Sequence, residues 1–192
     1  MAKAFTQKEK ILIRKTLLET GLQRFSKQGV RATRLSDLCK DVGIAKGSFY
    51  NYFSSKEELF MLIAEQKNAK HRTDMITFIK QEHNNSNEKI SQLFDMIWTK
   101  IEQDPLLNLI IEHNEGDYIF RKIPPAWVEE KSKNDKIFLN ELTDILQQQN
   151  PNIIEGLMTL SVSLYMQHQA IPEQQMQNAI RILKNSYISL LA

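Results

Sequence analysis

The sequence predicts an all-α fold of about nine helices. Gly and Pro are scarce, at 6 and 5 of 192 residues. Leu, Ile, Lys, Glu and Gln are common while continuous β-branched runs are not, a composition that favours helices joined by short loops. Apolar residues also recur at spacings of three and four, the period of an amphipathic helix. The length suits one domain or two small ones, with enough chain to bury a core.

The first helix is expected over about Thr6 to Gln28, with Ile11, Leu18, Leu22 and Phe25 on one face and Gly29 as its C-terminal cap. Thr33 suits the N-cap of a short second helix ending near Val42, striped by Leu35, Leu38 and Val42. Gly43 interrupts, and a third short helix runs from about Lys46 to Tyr52. Ser55 to Glu58 has the form of a capping box and opens a fourth helix reaching about Glu82. His83 to Asn87 reads as a polar loop. Helix five, Glu88 to Gln103, turns Ile90, Leu93, Phe94, Ile97 and Ile101 inward. Pro105 opens a sixth helix ending near His113, and Asn114 to Asp117 reads as a turn. Pro124 and Pro125 begin a seventh, reaching about Gln149. Pro151 and Pro172 open the eighth and ninth, which end near Gln169 and Leu190.

The last two helices are apolar on more than one face. Ile153, Leu157, Leu160 and Leu164 form one stripe, and Ile154, Met158, Ser161 and Tyr165 another. Met176, Ile180, Leu183, Tyr187 and Leu190 line the ninth. Two such faces on a terminal hairpin suggest one for the protomer and one for a partner.

The net charge of +2 conceals a division. Residues 1–70 hold fourteen Lys or Arg against seven acids, and the remainder holds eleven against sixteen. A basic module for a polyanion beside an acidic module fits this asymmetry, as does a plainly solvated basic surface. Cys39 is the only cysteine, so no internal disulfide forms. No stretch approaches the roughly 20 apolar residues of a membrane span, and Met1 to Lys10 lacks the apolar run of a signal peptide. A cytoplasmic protein is expected.

The informative segment is Thr33 to Leu59, TRLSDLCKDVGIAKGSFYNYFSSKEEL. It reads as two short helices joined at Gly43, where a positive φ lets the second cross the first steeply. Leu38, Val42, Ile44, Phe49 and Phe53 are spaced to share a small core. Lys46, Gly47, Ser48, Tyr50, Asn51 and Tyr52 are then left near one surface. Such residues are poor core material but suit a major groove, where phosphates need donors and base edges need small polar or apolar contacts. A generic helical hairpin fits the spacing too.

This segment resembles the N-terminal domain of the TetR family of regulators. The likeness runs over about residues 8–62. It rests on Phe25 and Gly29 closing helix one, Thr33 before helix two, Leu38 with Cys39, and Val42-Gly43-Ile44 at the turn. Lys46 to Tyr50 with Tyr52-Phe53 then matches the recognition helix, and Lys56 to Leu59 the start of helix four. Ala45 departs from the family, which has Ser or Thr capping the recognition helix; losing such a cap costs about 1 kcal/mol.

The resemblance implies a DNA-binding domain over residues 1–54 and an effector-binding and dimerisation domain over 55–192. It places Thr33, Tyr50, Tyr52 and Lys56 at phosphates and Lys46 and Ser48 at base edges or phosphates, with Gly47, Asn51 and Arg34 as further DNA-contacting candidates. It also implies a small-molecule pocket, with Trp98, His113, Tyr118 and Trp127 as candidate lining, although aromatics at helical spacing equally fit plain core. It further implies a homodimer paired through the last two helices, and a ligand-responsive repressor on a palindromic operator follows. The alternative is an architectural DNA-binding protein without an effector. No nucleophile elbow, phosphate loop, dinucleotide fingerprint or HxxxH pair is visible, so neither an enzyme nor a metal or organic cofactor is expected.

Overall fold

The structure is a computed structural model and describes residues 5–81, 85–147 and 150–192. Among the described residues there are ten helices and no strand: α1 (Gln7–Ala32), α2 (Leu35–Val42), α3 (Lys46–Phe49), α4 (Lys56–Lys80), α5 (Ser86–Glu102), α6 (Pro105–Glu112), α7 (Gly116–Phe120), α8 (Pro125–Ile145), α9 (Pro151–Met166) and α10 (Glu173–Leu191). The additional helix is α7. It forms where a turn was expected, because Asn114 takes a left-handed φ of 50° that ends α6 and lets the chain restart as helix after Glu115.

Several boundaries differ from expectation for local reasons. Gly29 does not end α1 but kinks it: its φ of 84° breaks the helix, and the chain makes one more turn to Ala32. Thr33 is not the N-cap of α2. Arg34 holds that position with no side-chain bond, and the Thr33 hydroxyl donates back to the Gly29 carbonyl at 2.6 Å. Ile11 is not inward; it is 64% exposed, and the buried residues of α1 begin at Leu17. Ser55 accepts from the Glu58 N–H as in a capping box, but the Glu58 carboxylate accepts from the Ser54 N–H and hydroxyl instead of from Ser55. The expected end of the fourth helix at Glu82, the expected loop residues His83 and Asn84, and the expected helix end at Gln149 lie outside the described residues.

Two compact units divide the chain. One runs to Lys67 and takes in Pro105–Trp127. Its core joins Leu17 and Phe25 of α1, Leu38 and Cys39 of α2, Phe49 and Phe53 around α3, Leu59, Phe60 and Ile63 of α4, Leu106 of α6 and Ile119 of α7. Phe25 meets Phe60 edge to face, with ring centres 5.8 Å apart. Thus helices far apart in sequence, α6 and α7, complete the core under the expected helix-turn-helix.

The other unit comprises Asn68–Asp104 and Val128–Ala192. Here α5 packs on α9 and α10. Phe94 lies 5.1 Å edge-on to Tyr187 and stacks with Trp98, which meets Tyr165 edge to face at 6.0 Å. Ion pairs tie Arg72 to Asp135, Lys80 to Glu141, Asp74 to Lys100 and Asp95 to Lys184. Pairs this open to water contribute at most about 1 kcal/mol each. On α9, Ile154, Leu157, Ser161 and Tyr165 are buried, while Leu160 is 57% exposed.

The Ser161 hydroxyl donates to the Leu157 carbonyl, and the Tyr187 hydroxyl lies 2.9 Å from the Ser161 oxygen. Burial pushes the Tyr187 phenol up to about 12. In the unfolded chain it ionises near about 10. Its contribution to stability is therefore complete below about pH 10 and is lost as the pH rises toward about 12, by about 2–3 kcal/mol. Denaturant titrations at alkaline pH should show Tyr187→Phe losing less stability than the parent chain between about pH 9 and pH 11. Equal losses would mean that the phenol does not ionise differently in the two states.

Candidate nucleic-acid interface

The helix-turn-helix is built by a turn and two rings. Gly43 ends α2 in the left-handed region at φ 75°, with its N–H donating to the Cys39 and Lys40 carbonyls. The Ile44 N–H also reaches the Cys39 carbonyl, at 3.0 Å. This closes the end of α2 and sends the chain into α3. As the sequence implied, Ala45 offers α3 no side-chain cap. The regular helix stops at Phe49, short of Tyr52, but the Tyr52 and Phe53 N–H groups still donate to the Phe49 carbonyl and continue the coil. Phe49 and Phe53 are fully buried, 5.7 Å apart, and Val42 and Ile44 pack beside them. Arg14 stands over the Phe53 ring.

With both rings turned in, Lys46, Gly47, Tyr50 and Asn51 face out, and Ser48 and Tyr52 are half-buried. Tyr50 is 55% exposed, its ring edge-on to Phe49. Burial and the nearby Glu9 carboxylate push the Tyr52 phenol above its usual range. Gly47 is not required by packing, since a Cβ there would meet no protein atom within 4 Å.

A surface groove of about 440 Å³ runs beside this helix. Arg31, Arg34, Lys46 and Lys56 line it, with one acid, Glu57, and with Thr33, Leu35, Tyr50 and three serines, Ser36, Ser54 and Ser55. The structure thus gathers Thr33, Arg34, Lys46, Tyr50 and Lys56 on one groove, and leaves Gly47, Ser48, Asn51 and Tyr52 off its wall. Four cations and several hydroxyls around an open groove form a surface suited to phosphates.

Two members have additional work. Thr33 is 1% exposed, and its hydroxyl donates to the Gly29 carbonyl and accepts from the Gln28 amide. The Lys56 ammonium donates to the Arg31 and Thr33 carbonyls at 2.9 and 2.8 Å, closing the end of α1. Burial lowers its pKa, with Glu57 and Glu115 opposing.

Sequence reasoning missed Glu115. Its carboxylate, 4% exposed, accepts from the Val30 and Arg31 N–H groups at 2.8 and 3.0 Å. No local pattern marks a partner 85 residues away. Tyr118, expected in an effector pocket, donates its hydroxyl to Glu57, with the Arg31 guanidinium 5.9 Å from its ring centre. Burial first, then the Glu57 hydrogen bond, push its phenol up to about 12. Of the other pocket candidates, His113 is exposed and Trp127 is half-buried against the first unit's core. Trp98 is buried in the second unit, its indole N–H donating to Glu102. Cys39 is buried, which pushes its thiol up. Among the described residues no three His, Cys, Asp or Glu side chains are placed to hold a metal, and no helix is long and apolar enough to cross a membrane.

Residues 17–63 match the family described as bacterial regulatory proteins, tetR family. The chain is 28% identical over 149 residues to an uncharacterized HTH-type transcriptional regulator in the lacX 3' region of Lactococcus lactis subsp. lactis, covering 74% of this chain and 73% of that one. It is 44% identical over 43 residues to the HTH-type transcriptional repressor KstR2 of Mycobacterium tuberculosis, 22% of each chain. A TetR-family transcriptional regulator from Pectobacterium atrosepticum has the same fold, with a TM-score of 0.69 at 15% identity over 98% of both chains. The span of the family match contains both helices of the helix-turn-helix and the turn at Gly43, so the likeness to the tetR family of bacterial regulatory proteins lies in the helix-turn-helix, and the chain as a whole shares the fold of such regulators.

Proposed function

We propose that the chain is a homodimeric repressor that grips a palindromic operator and is released from it by a small-molecule effector. The observation that carries DNA binding is the groove, where Arg31, Arg34, Lys46 and Lys56 stand around the exposed Tyr50. Phosphates fall to Arg31, Arg34, Tyr50, Tyr52 and Lys56, which fix register, and base edges to Lys46, Ser48 and Asn51. Gly47 lets the double helix approach the backbone, which accounts for a glycine that packing does not require.

The dimer rests on α9 and α10. Leu160, Val162 and Met166 on α9 and Ile182 and Leu190 on α10 are between 38% and 64% exposed. Side chains of this kind on one helical hairpin suit a second copy. A twofold dimer sets two recognition helices to meet half-sites roughly 34–36 Å apart. Residues 1–54 serve DNA binding and residues 55–192 serve effector and dimer, although the compact units group α6 and α7 with the N-terminal helices. The effector is a mainly apolar or aromatic molecule that meets some of Trp98, His113, Tyr118 and Trp127; the repressor role draws support from the likeness to KstR2. The protein works in the cytoplasm and has no enzymatic activity of its own.

Selection of bound duplexes from a random pool tests the function. A palindrome bound about a thousandfold more tightly than unrelated DNA is expected, and uniform binding would favour the architectural alternative. Tyr50→Phe should weaken the selected duplex and leave thermal stability unchanged. Lys56→Ala should lower the salt slope by about one unit and also lower the melting midpoint by a few degrees, since it leaves two carbonyls at the end of α1 without their partner. Both effects are measurable on one preparation, and an unchanged midpoint would mean that water replaces the ammonium. Leu160→Glu combined with Leu190→Glu should give a folded monomer in sedimentation, because both side chains are exposed in the single chain. A persistent dimer would place the interface elsewhere.

A further inference from the structure

Three groove residues, Arg31, Thr33 and Arg34, come from the short stretch between the Gly29 kink and α2. That stretch is held from both sides. Its N–H groups at Val30 and Arg31 donate to the Glu115 carboxylate, and its carbonyls at Arg31 and Thr33 accept from Lys56. Lys56 belongs to the start of α4, within the family match, whereas Glu115 comes from the corner between α6 and α7, outside it. The two N–H bonds are charge-assisted and the carboxylate is buried, which makes them strong and short in reach. Gly29 leaves the space for it: a Cβ there would overlap a Glu115 carboxylate oxygen. The same corner is tied to the groove wall a second time, through Tyr118, which bonds Glu57 and lies under Arg31.

We propose that Glu115 is a positioning residue for DNA binding: it does not meet the nucleic acid, and its carboxylate fixes the backbone from which Arg31 and Arg34 reach the phosphates. The proposal rests on the operator-binding function above. It separates two parts of the clamp. Lys56 both holds the stretch and faces the groove, but Glu115 acts only through the residues it holds. Removing it therefore costs the phosphate contacts of Arg31 and Arg34 although both side chains remain.

The test uses the full chain, its Glu115→Gln and Glu115→Asp variants, and the duplex that the parent chain selects from a random pool. Gln keeps the size but turns one acceptor into an NH₂ donor, so one of the two backbone N–H groups faces another donor. At a temperature where circular dichroism shows all proteins fully folded, Glu115→Gln should bind the duplex about tenfold more weakly or worse. Its salt slope should fall by about one to two units, as Arg31 and Arg34 lose their places. Amide exchange at Val30 and Arg31 should quicken in the same variant. Glu115→Asp keeps the charge and should recover part of the affinity, and it carries the comparison if Gln does not fold. Lower thermal stability with unchanged affinity and salt slope would make Glu115 merely structural and overturn the proposal. A parent chain that selects no duplex overturns the operator-binding reading and the proposal together, whereas a parent that selects one and variants that bind it equally overturn the proposal alone.

Discussion

A helix that stops leaves amides and carbonyls without partners inside the helix, and each is satisfied elsewhere in the protein or by water. At the end of α1 this requirement shapes the groove proposed to meet DNA. Gly29 breaks the helix, and the groups beyond the break are divided between an anion and a cation: Glu115 takes the N–H groups of Val30 and Arg31, and Lys56 takes the carbonyls of Arg31 and Thr33. The Thr33 hydroxyl closes the turn on the Gly29 carbonyl. Arg31 and Arg34 then stand at fixed places on the groove. The clamp links three helical segments, α1, α4 and the α6–α7 corner, so the groove edge is a tertiary product and not a property of the helix-turn-helix alone.

The recognition helix shows the same dependence on packing. It is one turn long, uncapped at Ala45, and too short to be stable by itself. Phe49 and Phe53 hold it, both buried in a core that draws on α1, α2, α4, α6 and α7. Because these anchors point inward, Tyr50 and Lys46 point outward at fixed spacing, and the helix offers its polar side without a side-chain cap. The cost of the missing cap, about 1 kcal/mol, is small beside two buried aromatic rings at about 1.5–3 kcal/mol each.

Local patterns made much of this legible. The spacing of Leu38, Phe49 and Phe53 marked the small core, and Gly43 marked the turn, because both depend on contacts within a few residues. Thr33 was misread for an instructive reason. A Thr before a helical period is ordinarily an N-cap, but the kink at Gly29 brings a carbonyl within reach and its hydroxyl turns back. Ile11 carried the right period for burial, yet the period does not say where neighbouring helices begin. Glu115 and the Tyr118–Glu57 bond were invisible because their partners lie 61 to 85 residues away. Trp98 sits among Phe94 and Tyr165, a surrounding that the alternation of apolar residues along α5 could suggest but not distinguish from a ligand site.

In the proposed function the groove edge and the exposed side of α3 meet the operator together. Hydrogen–deuterium exchange of the full chain, with and without its selected duplex, tests this most directly. DNA-induced protection should concentrate in residues 29–36 and 45–56, the stretches that hold the clamp, the groove and α3, and leave α10 unchanged. Protection centred on α9 and α10, or absent from residues 29–36, would contradict it.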